Sequence, residues 1–153
     1  IYTLALSDSD NENDFYITQK TDCSSFLEPS LEGLNIEPKF LKVQKKVVVK
    51  TKKLDDVLLE NMKFKEYKYS LLKIDTQGSE LLVLNGARNL LKTKIKFVYV
   101  EVSDLEHYKK QTKSNEIIDF LYKYGFVLVK KFNLSYNKRN VLAYGDFLFQ
   151  KLN

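Results

Sequence analysis

The feature that most constrains the fold is an alternation between two kinds of apolar pattern along the chain. Short apolar runs typical of strands, such as 69–74 and 95–102, are each followed by a segment with apolar residues at helical spacing. Such alternation is typical of an α/β protein, in which helices cover both faces of a mostly parallel sheet. Two late runs, 126–132 and 140–151, have no helical segment between them, so we expect a terminal antiparallel strand pair.

The first third of the chain contains shorter and more polar strand patterns. The runs 1–6 and 14–18 predict two short strands that could pair with each other, and 46–51 predicts an exposed strand with a lysine-rich face. We interpret these lysines as protection against edge pairing, with a phosphate-binding stripe as the alternative. The segment 23–40 contains both prolines and is predicted to be a long irregular loop.

Three helices are predicted from apolar stripes and terminal residues. The segment 54–62 carries one stripe, and 81–91 carries another. Ser79 and Ser114 stand just before the second and third helical patterns, where their hydroxyls can cap a helix N-terminus. Gly125 stands at the end of the third pattern, where glycine commonly ends a helix.

Acidic residues occur where the predicted strands end. Asp75 and Glu101 end two consecutive strands, and Ser7 and Asp8 follow the first strand. In α/β sheets ligands bind outside the carboxyl ends of the strands, so we expect these side chains at a binding site. Glu80 lies in the first turn of a helix and is predicted either to accept a proton or simply to complement the helix dipole.

Charge and cysteine content restrict the partners and the compartment. The single cysteine, Cys23, cannot form an internal disulfide, and the chain has no signal segment or membrane-spanning apolar run, so we predict a cytoplasmic protein. The net charge of +5 is a weak indication of an anionic partner, but the only arginines are Arg88 and Arg139, so nucleic acid is not expected. His107 is interpreted as a surface histidine in a loop, and no Cys/His spacing indicates a metal site.

A longer set of motifs identifies a family resemblance. The segments "KIDTQGSELLVLNGA", "VYVEVS" and "EIIDFLYKYGFVLV" resemble the FkbM family of S-adenosylmethionine-dependent methyltransferases. The earlier blocks "ALSDSDNENDFYI", "CSSFLEP" and "VVVKTKKLDDVL" occur in the order expected for that family. The resemblance covers nearly the whole chain, so we expect residues 1–153 to form one domain. Gln77 stands where the family often has glutamate.

The resemblance implies a particular α/β architecture. The family has the class I methyltransferase fold, a Rossmann-like sandwich whose seven-stranded sheet ends with an antiparallel strand. The chain begins with Ile1, which aligns with the third strand of that fold, and it contains no glycine cluster of the kind that holds the cofactor. We therefore expect a partial, amino-terminally truncated domain that lacks the first two βα units.

The same resemblance implies the function. It predicts an O-methyltransferase that uses S-adenosylmethionine and acts on a hydroxyl of a sugar or glycosylated small molecule. The expected catalytic residues are Asp75, Glu80 and Glu101, and the expected cofactor-binding residues are Ser7, Asp8 and Asp75. Two alternatives remain: a non-catalytic fragment or partner-binding domain, and, on weaker grounds, an RNA methyltransferase.

Overall fold

The computed structural model describes residues 3–30, 39–59 and 70–152. Within these residues the first sheet has three strands in the order β1-β3-β2. Its strands are β1 (Ala5–Leu6), β2 (Glu12–Thr18) and β3 (Val43–Lys52), and a short 3-10 helix, Thr21–Cys23, follows β2. β3 pairs with β1 in parallel and with β2 in antiparallel orientation.

The second sheet has four described strands in the order β4-β5-β7-β6. They are β4 (Ser70–Ile74), β5 (Ile95–Val102), β6 (Phe126–Tyr136) and β7 (Leu142–Lys151). β4 and β5 are parallel, whereas β7 is antiparallel to both β5 and β6. This sheet therefore aligns the carboxyl ends of β4 and β5 at one edge.

Four described helices pack with these strands. They are α1 (Leu54–Leu59), α2 (Glu80–Asn85), α3 (Arg88–Thr93) and α4 (Ser114–Lys123). The main core joins α2, α3 and α4 to one face of the second sheet, and burial of its apolar surface stabilises the fold. Its fully buried side chains include Leu84, Leu90, Val98, Leu121 and Phe149.

A close contact at Gly86 joins the helices to the first sheet. A Cβ atom at this position would lie 2.1 Å from the carbonyl oxygen of Ser7, so no larger residue fits there without a shift of the backbone. The Asp55 carboxylate accepts the backbone amides of Asn89 and Leu90 at 2.8 Å and 2.9 Å. These contacts lie where the chain turns between α2 and α3, which replace the single predicted helix.

Several strand predictions are confirmed, and others are wrong. The bounds of β5 match the prediction, β6 and β7 form the expected antiparallel pair, and Gly125, with φ +78°, follows α4. β1 and β2 do not pair with each other, because β3 lies between them. Pairing with β1 involves only Thr51 and Lys52, so most of that edge of β3 has no partner among the described residues.

The run 69–74 is apolar apart from Lys73, which predicts a central parallel strand, and the position of β4 differs from that prediction. Among the described residues β4 lies at the end of its sheet, and Leu71 is 62% exposed. Of the five described strand pairings, two are parallel and three are antiparallel. An α/β fold is therefore observed, but a mostly parallel sheet is not confirmed.

The two predicted serine caps are wrong, because neither serine side chain caps its helix. The Ser79 hydroxyl donates to the carbonyl oxygen of Thr76 at 3.0 Å and makes no cap. Ser114 is already the first residue of α4. The cap position is Lys113, one residue before the expected one, and its backbone amide donates to a Glu116 carboxylate oxygen at 2.8 Å. The Ser114 amide donates to Asp104 Oδ1 at 2.9 Å.

Parts of four predictions lie outside the described residues. These parts are residues 1–2 of the first predicted strand, residues 31–38 of the irregular loop, residues 60–62 of the first predicted helix, and Tyr69, the first residue of the strand predicted at 69–74. Within the described ranges, no helix combines the length and the apolar character needed to cross a membrane.

Candidate functional site

The site is built where the parallel strands β4 and β5 end. Asp75 directly follows β4, and Glu101 is the penultimate residue of β5. The side-chain amide nitrogen of Gln77 donates to Asp75 Oδ1 and to Glu101 Oε2, both at 3.0 Å. The structure therefore brings together two of the predicted site residues, Asp75 and Glu101, which we call the carboxylate pair.

The turn after β4 has an unusual backbone that its neighbours hold in place. Gln77 and Gly78 have φ values of 55° and 97°, in the left-handed region that favours glycine. A Cβ atom at Gly78 would lie 3.0 Å from Gln111 Cβ, so the turn packs tightly against the loop that follows β5. The Ser25 hydroxyl donates to the Gln77 carbonyl at 2.8 Å, and the Thr112 amide donates to the Gly78 carbonyl.

Glu80 closes this turn from the start of α2. Its Oε1 atom accepts the backbone amides of Thr76 at 3.1 Å and Gly78 at 2.9 Å, and the Thr76 hydroxyl at 3.3 Å. Burial raises the pKa of Glu80, while these hydrogen bonds act in the opposite direction. The geometry supports a turn-closing role, and a catalytic role for Glu80 stays a prediction.

Glu101 has a different electrostatic environment. Burial raises its pKa to about 7, and the negative charges of Asp75, Glu80 and Asp146 contribute to the increase. The hydrogen bond from Gln77 lowers this pKa without cancelling the other effects. Glu101 can therefore bind and release a proton near neutral pH.

A second layer of side chains supports Gln77. The Tyr108 hydroxyl lies 2.9 Å from the carbonyl oxygen of Cys23 and 3.0 Å from Gln77 Oε1, and its single proton can serve one of them at a time. Burial is the main cause of the raised pKa of Tyr108, which keeps it a donor. The sequence reasoning missed both Gln77 and Tyr108. The Gln77-Gly78 dipeptide signals a turn but does not indicate where the amide points.

His107 is buried, so its interpretation as a surface residue is wrong. Its Nε2 atom lies 3.0 Å from the carbonyl oxygen of Ala143, which supplies the partner that a buried imidazole needs. Burial lowers the pKa of His107. The Gln111 side chain accepts the His107 amide at 2.9 Å and also donates to the Leu105 carbonyl, which fixes this loop behind the carboxylate pair.

Ser7 and Asp8 lie in a different place. Ser7 is buried, its amide donates to the Lys52 carbonyl at 3.0 Å, and its hydroxyl donates to Asp8 Oδ1 at 3.3 Å. Asp8 lines a cavity of about 490 Å³ whose other lining residues include Lys53, Asn85 and Arg88. Asp75 does not line this cavity, so the predicted cofactor-binding residues are not gathered at one place.

No group of three or more described histidine, cysteine, aspartate or glutamate side chains has an arrangement that could hold a metal ion. The described part of the site consists of carboxylates, amides and one tyrosine. Such groups can transfer protons and bind hydroxyl or positively charged groups.

Comparisons with known proteins identify the family of the chain. A family model described as the methyltransferase FkbM domain matches residues 1–128, which include β4, α2 and β5 and therefore the carboxylate pair. Searches among curated proteins and among solved structures found no match. Because the family model matches far more than half of the chain, this protein belongs to the FkbM methyltransferase family.

Proposed function

We propose that this methyltransferase uses S-adenosylmethionine to methylate a hydroxyl of a sugar or glycosylated small molecule. The observation that carries the proposal is the carboxylate pair, in which Asp75 and Glu101 bind the same amide at the ends of neighbouring parallel strands. Methylation of a hydroxyl oxygen releases a proton. A carboxylate beside the reacting oxygen is well suited to accept it.

Glu101 is the proposed general base. A base with a pKa of about 7 is unprotonated often enough at neutral pH, and still basic enough, to take a proton as the new bond forms. S-adenosylmethionine, when bound, would supply a methyl group activated by a positively charged sulfur. Glu101 holds the acceptor hydroxyl toward that methyl group, and such alignment can contribute about 7–11 kcal/mol to catalysis.

Asp75 is the proposed orienting residue. Its side chain is 45% exposed, so it can reach a bound molecule, and its Oδ2 atom lies 3.4 Å from Lys73 Nζ. The carboxylate is suited to hold either a second hydroxyl of the acceptor or the positively charged methionine end of the cofactor. Both tasks place a ligand beside Glu101.

The described residues fit the charge of the cofactor, but they do not include a glycine-rich turn that could bind it. The carboxylate pair is suited to the positive charge of S-adenosylmethionine. The spaces beside Gly78, Gly86 and Gly145, however, are filled by other parts of the protein, so these glycines do not offer backbone to a ligand. Ser7 and Asp8 remain proposals as cofactor-binding residues.

Ion pairs that two lysines of β3 make with aspartates favour a glycan or small-molecule acceptor over nucleic acid. Lys46 pairs with Asp14 at 2.7 Å, and Lys52 lies 4.0 Å from Asp10. These contacts balance part of the positive charge that binding to phosphates would require.

The test is a methyl-transfer assay in which the protein is incubated with S-adenosylmethionine that carries a tritiated methyl group. The acceptors are a panel of methyl glycosides and, in a separate reaction, RNA, and the label in each acceptor is measured. We expect label in one or more glycosides. Asp75→Asn should abolish transfer while leaving the circular dichroism spectrum unchanged, and Asp119→Asn, on the exposed surface of α4, should retain transfer. Full transfer by Asp75→Asn would refute the role of Asp75, and label in RNA alone would refute the proposed acceptor class.

A further inference from the structure

We propose that Gln77 is a positioning residue that holds Asp75 and Glu101 together and controls how easily Glu101 accepts a proton. This proposal rests on the function proposed above, because it concerns the same carboxylate pair. Gln77 would not touch the reacting atoms, and its effect would pass through Glu101.

The first argument is the match between the amide and its two acceptors. A glutamine amide has two N–H groups, and Gln77 directs its nitrogen to one oxygen of each carboxylate at equal distances of 3.0 Å. The amide is neutral, so it links two negative groups without adding a charge. A glutamate of the same length would instead bring a third carboxylate to the site.

The second argument is that Gln77 has hydrogen-bond partners on the side opposite the carboxylate pair. The two carboxylate oxygens accept from Gln77 and so assign its amide nitrogen to their side, and the Tyr108 hydroxyl, 3.0 Å from Gln77 Oε1, can donate to the amide oxygen. The Ser25 hydroxyl holds the Gln77 carbonyl at 2.8 Å. These partners stabilise a left-handed backbone, φ 55°, that costs free energy in a residue with a side chain.

The third argument concerns the charges around Glu101. The titratable groups that raise its pKa are all acidic and come from three elements: the turn after β4, helix α2 and strand β7. Tyr108 and Cys23 face the same region, and Lys73 binds the far side of Asp75. Gln77 donates a hydrogen bond to Glu101 and opposes these effects, so its loss should raise the pH at which Glu101 deprotonates.

The experiment follows Glu101 directly by NMR. The chain is labelled with ¹³C at its glutamate side-chain carboxyls, and the Glu101 signal is assigned by its loss in Glu101→Gln. We expect the titration midpoint of Glu101 to rise by about one pH unit or more in Gln77→Glu, and by less in Gln77→Met, which keeps the length but has no donor. Gln44→Glu, on the exposed part of β3, adds the same charge elsewhere and should leave the midpoint unchanged.

A second readout is the pH dependence of methyl transfer from S-adenosylmethionine to the glycoside that proves active. In the Gln77 variants the lower limb of the profile should move by the same amount as the NMR midpoint, whereas a purely structural role would reduce transfer equally at every pH. An unchanged midpoint in a folded Gln77→Met or Gln77→Glu protein overturns the proposal, and so does failure of both variants to fold.

The two proposals can fail separately. If the Glu101 midpoint shifts as expected but Glu101→Gln retains full methyl transfer, Gln77 still holds the carboxylate pair and the assignment of Glu101 as the base is wrong. If Glu101→Gln abolishes transfer but the Gln77 variants leave the midpoint unchanged, the base is correct and the role of Gln77 is wrong.

Discussion

The start of α2 and the end of β5 each hold a glutamate near the same turn, but the two carboxylates have different partners. Glu80 accepts two backbone amides and one hydroxyl, whereas Glu101 accepts the side-chain amide of Gln77. Burial raises the pKa of both groups. The comparison indicates that the number of fixed donors decides whether a buried carboxylate supports the backbone or remains open to chemistry.

The strongest test of this difference is the effect of Glu101→Gln on turnover. We expect kcat/KM for methyl transfer to fall about 10²–10⁴-fold, because the variant cannot accept the proton of the acceptor hydroxyl. Glu80→Gln should retain most of the turnover at temperatures where it is folded. Steady-state assays of both variants at pH 7 make the comparison, and a reversed order of activity would contradict it.

The next largest effect should be on stability. Glu80→Ala should lower the free energy of unfolding by about 2–4 kcal/mol, because the amides of Thr76 and Gly78 lose their acceptor. Glu116→Ala is the matched control, since its carboxylate accepts one exposed amide and its loss should cost about 0.5–1 kcal/mol. Urea denaturation at pH 7 measures both values. Equal losses would show that the turn does not depend on Glu80.

A smaller effect should appear in the pH dependence of stability. The pKa of Glu101 is raised from 4.5 to about 7, so the folded protein holds this proton more tightly than the unfolded chain does. The resulting stabilisation is fully present below about pH 4.5 and is lost as the pH rises through about 7. After discounting for solvent screening, we expect wild type to lose about 1–2 kcal/mol relative to Glu101→Gln over this range.

Urea unfolding at several pH values between 4 and 8 tests this expectation. The difference between wild type and Glu101→Gln removes the contributions of other titrating groups. Parallel curves for the two proteins would mean that Glu101 has the same proton affinity in the folded and unfolded states.

The smallest predicted effect is the contribution of the Asp146 charge to the titration midpoint of Glu101. Asp146→Asn should lower the titration midpoint of Glu101 by less than about one pH unit, because it removes one of the negative charges that raise the pKa. The ¹³C titration described above measures this shift. Asp119→Asn provides a distant control, and a midpoint that rises in Asp146→Asn would contradict the electrostatic account.

Apolar runs and glycine positions predicted the parts of the fold that depend on residues close together in sequence. The apolar run at 95–102 predicted β5 with the bounds that are observed, and a glycine follows α4 as expected. The break between α2 and α3 was not predicted, and the contact found there joins Gly86 to Ser7, which are distant in sequence. The central position of β3 likewise depends on long-range pairing.

The candidate site was predictable to a similar extent. The rule that ligands bind at the carboxyl ends of strands identified Asp75 and Glu101. The bridge between them was missed, because the direction of the Gln77 amide depends on Tyr108, which is 31 residues away in sequence. The burial of His107 was missed for a related reason, since its partner, the carbonyl of Ala143, lies 36 residues further along.

The contact from Glu80 back to the preceding turn also links the motions of two segments. The amides of Thr76 and Gly78 lie outside α2, but they are held by the first side chain of that helix. Opening of the first helical turn would release both amides at once, so their hydrogen-exchange rates report on the integrity of α2. Both amides that flank Gln77 are therefore tied to α2, in addition to the contacts that Ser25 and Thr112 make with the same turn.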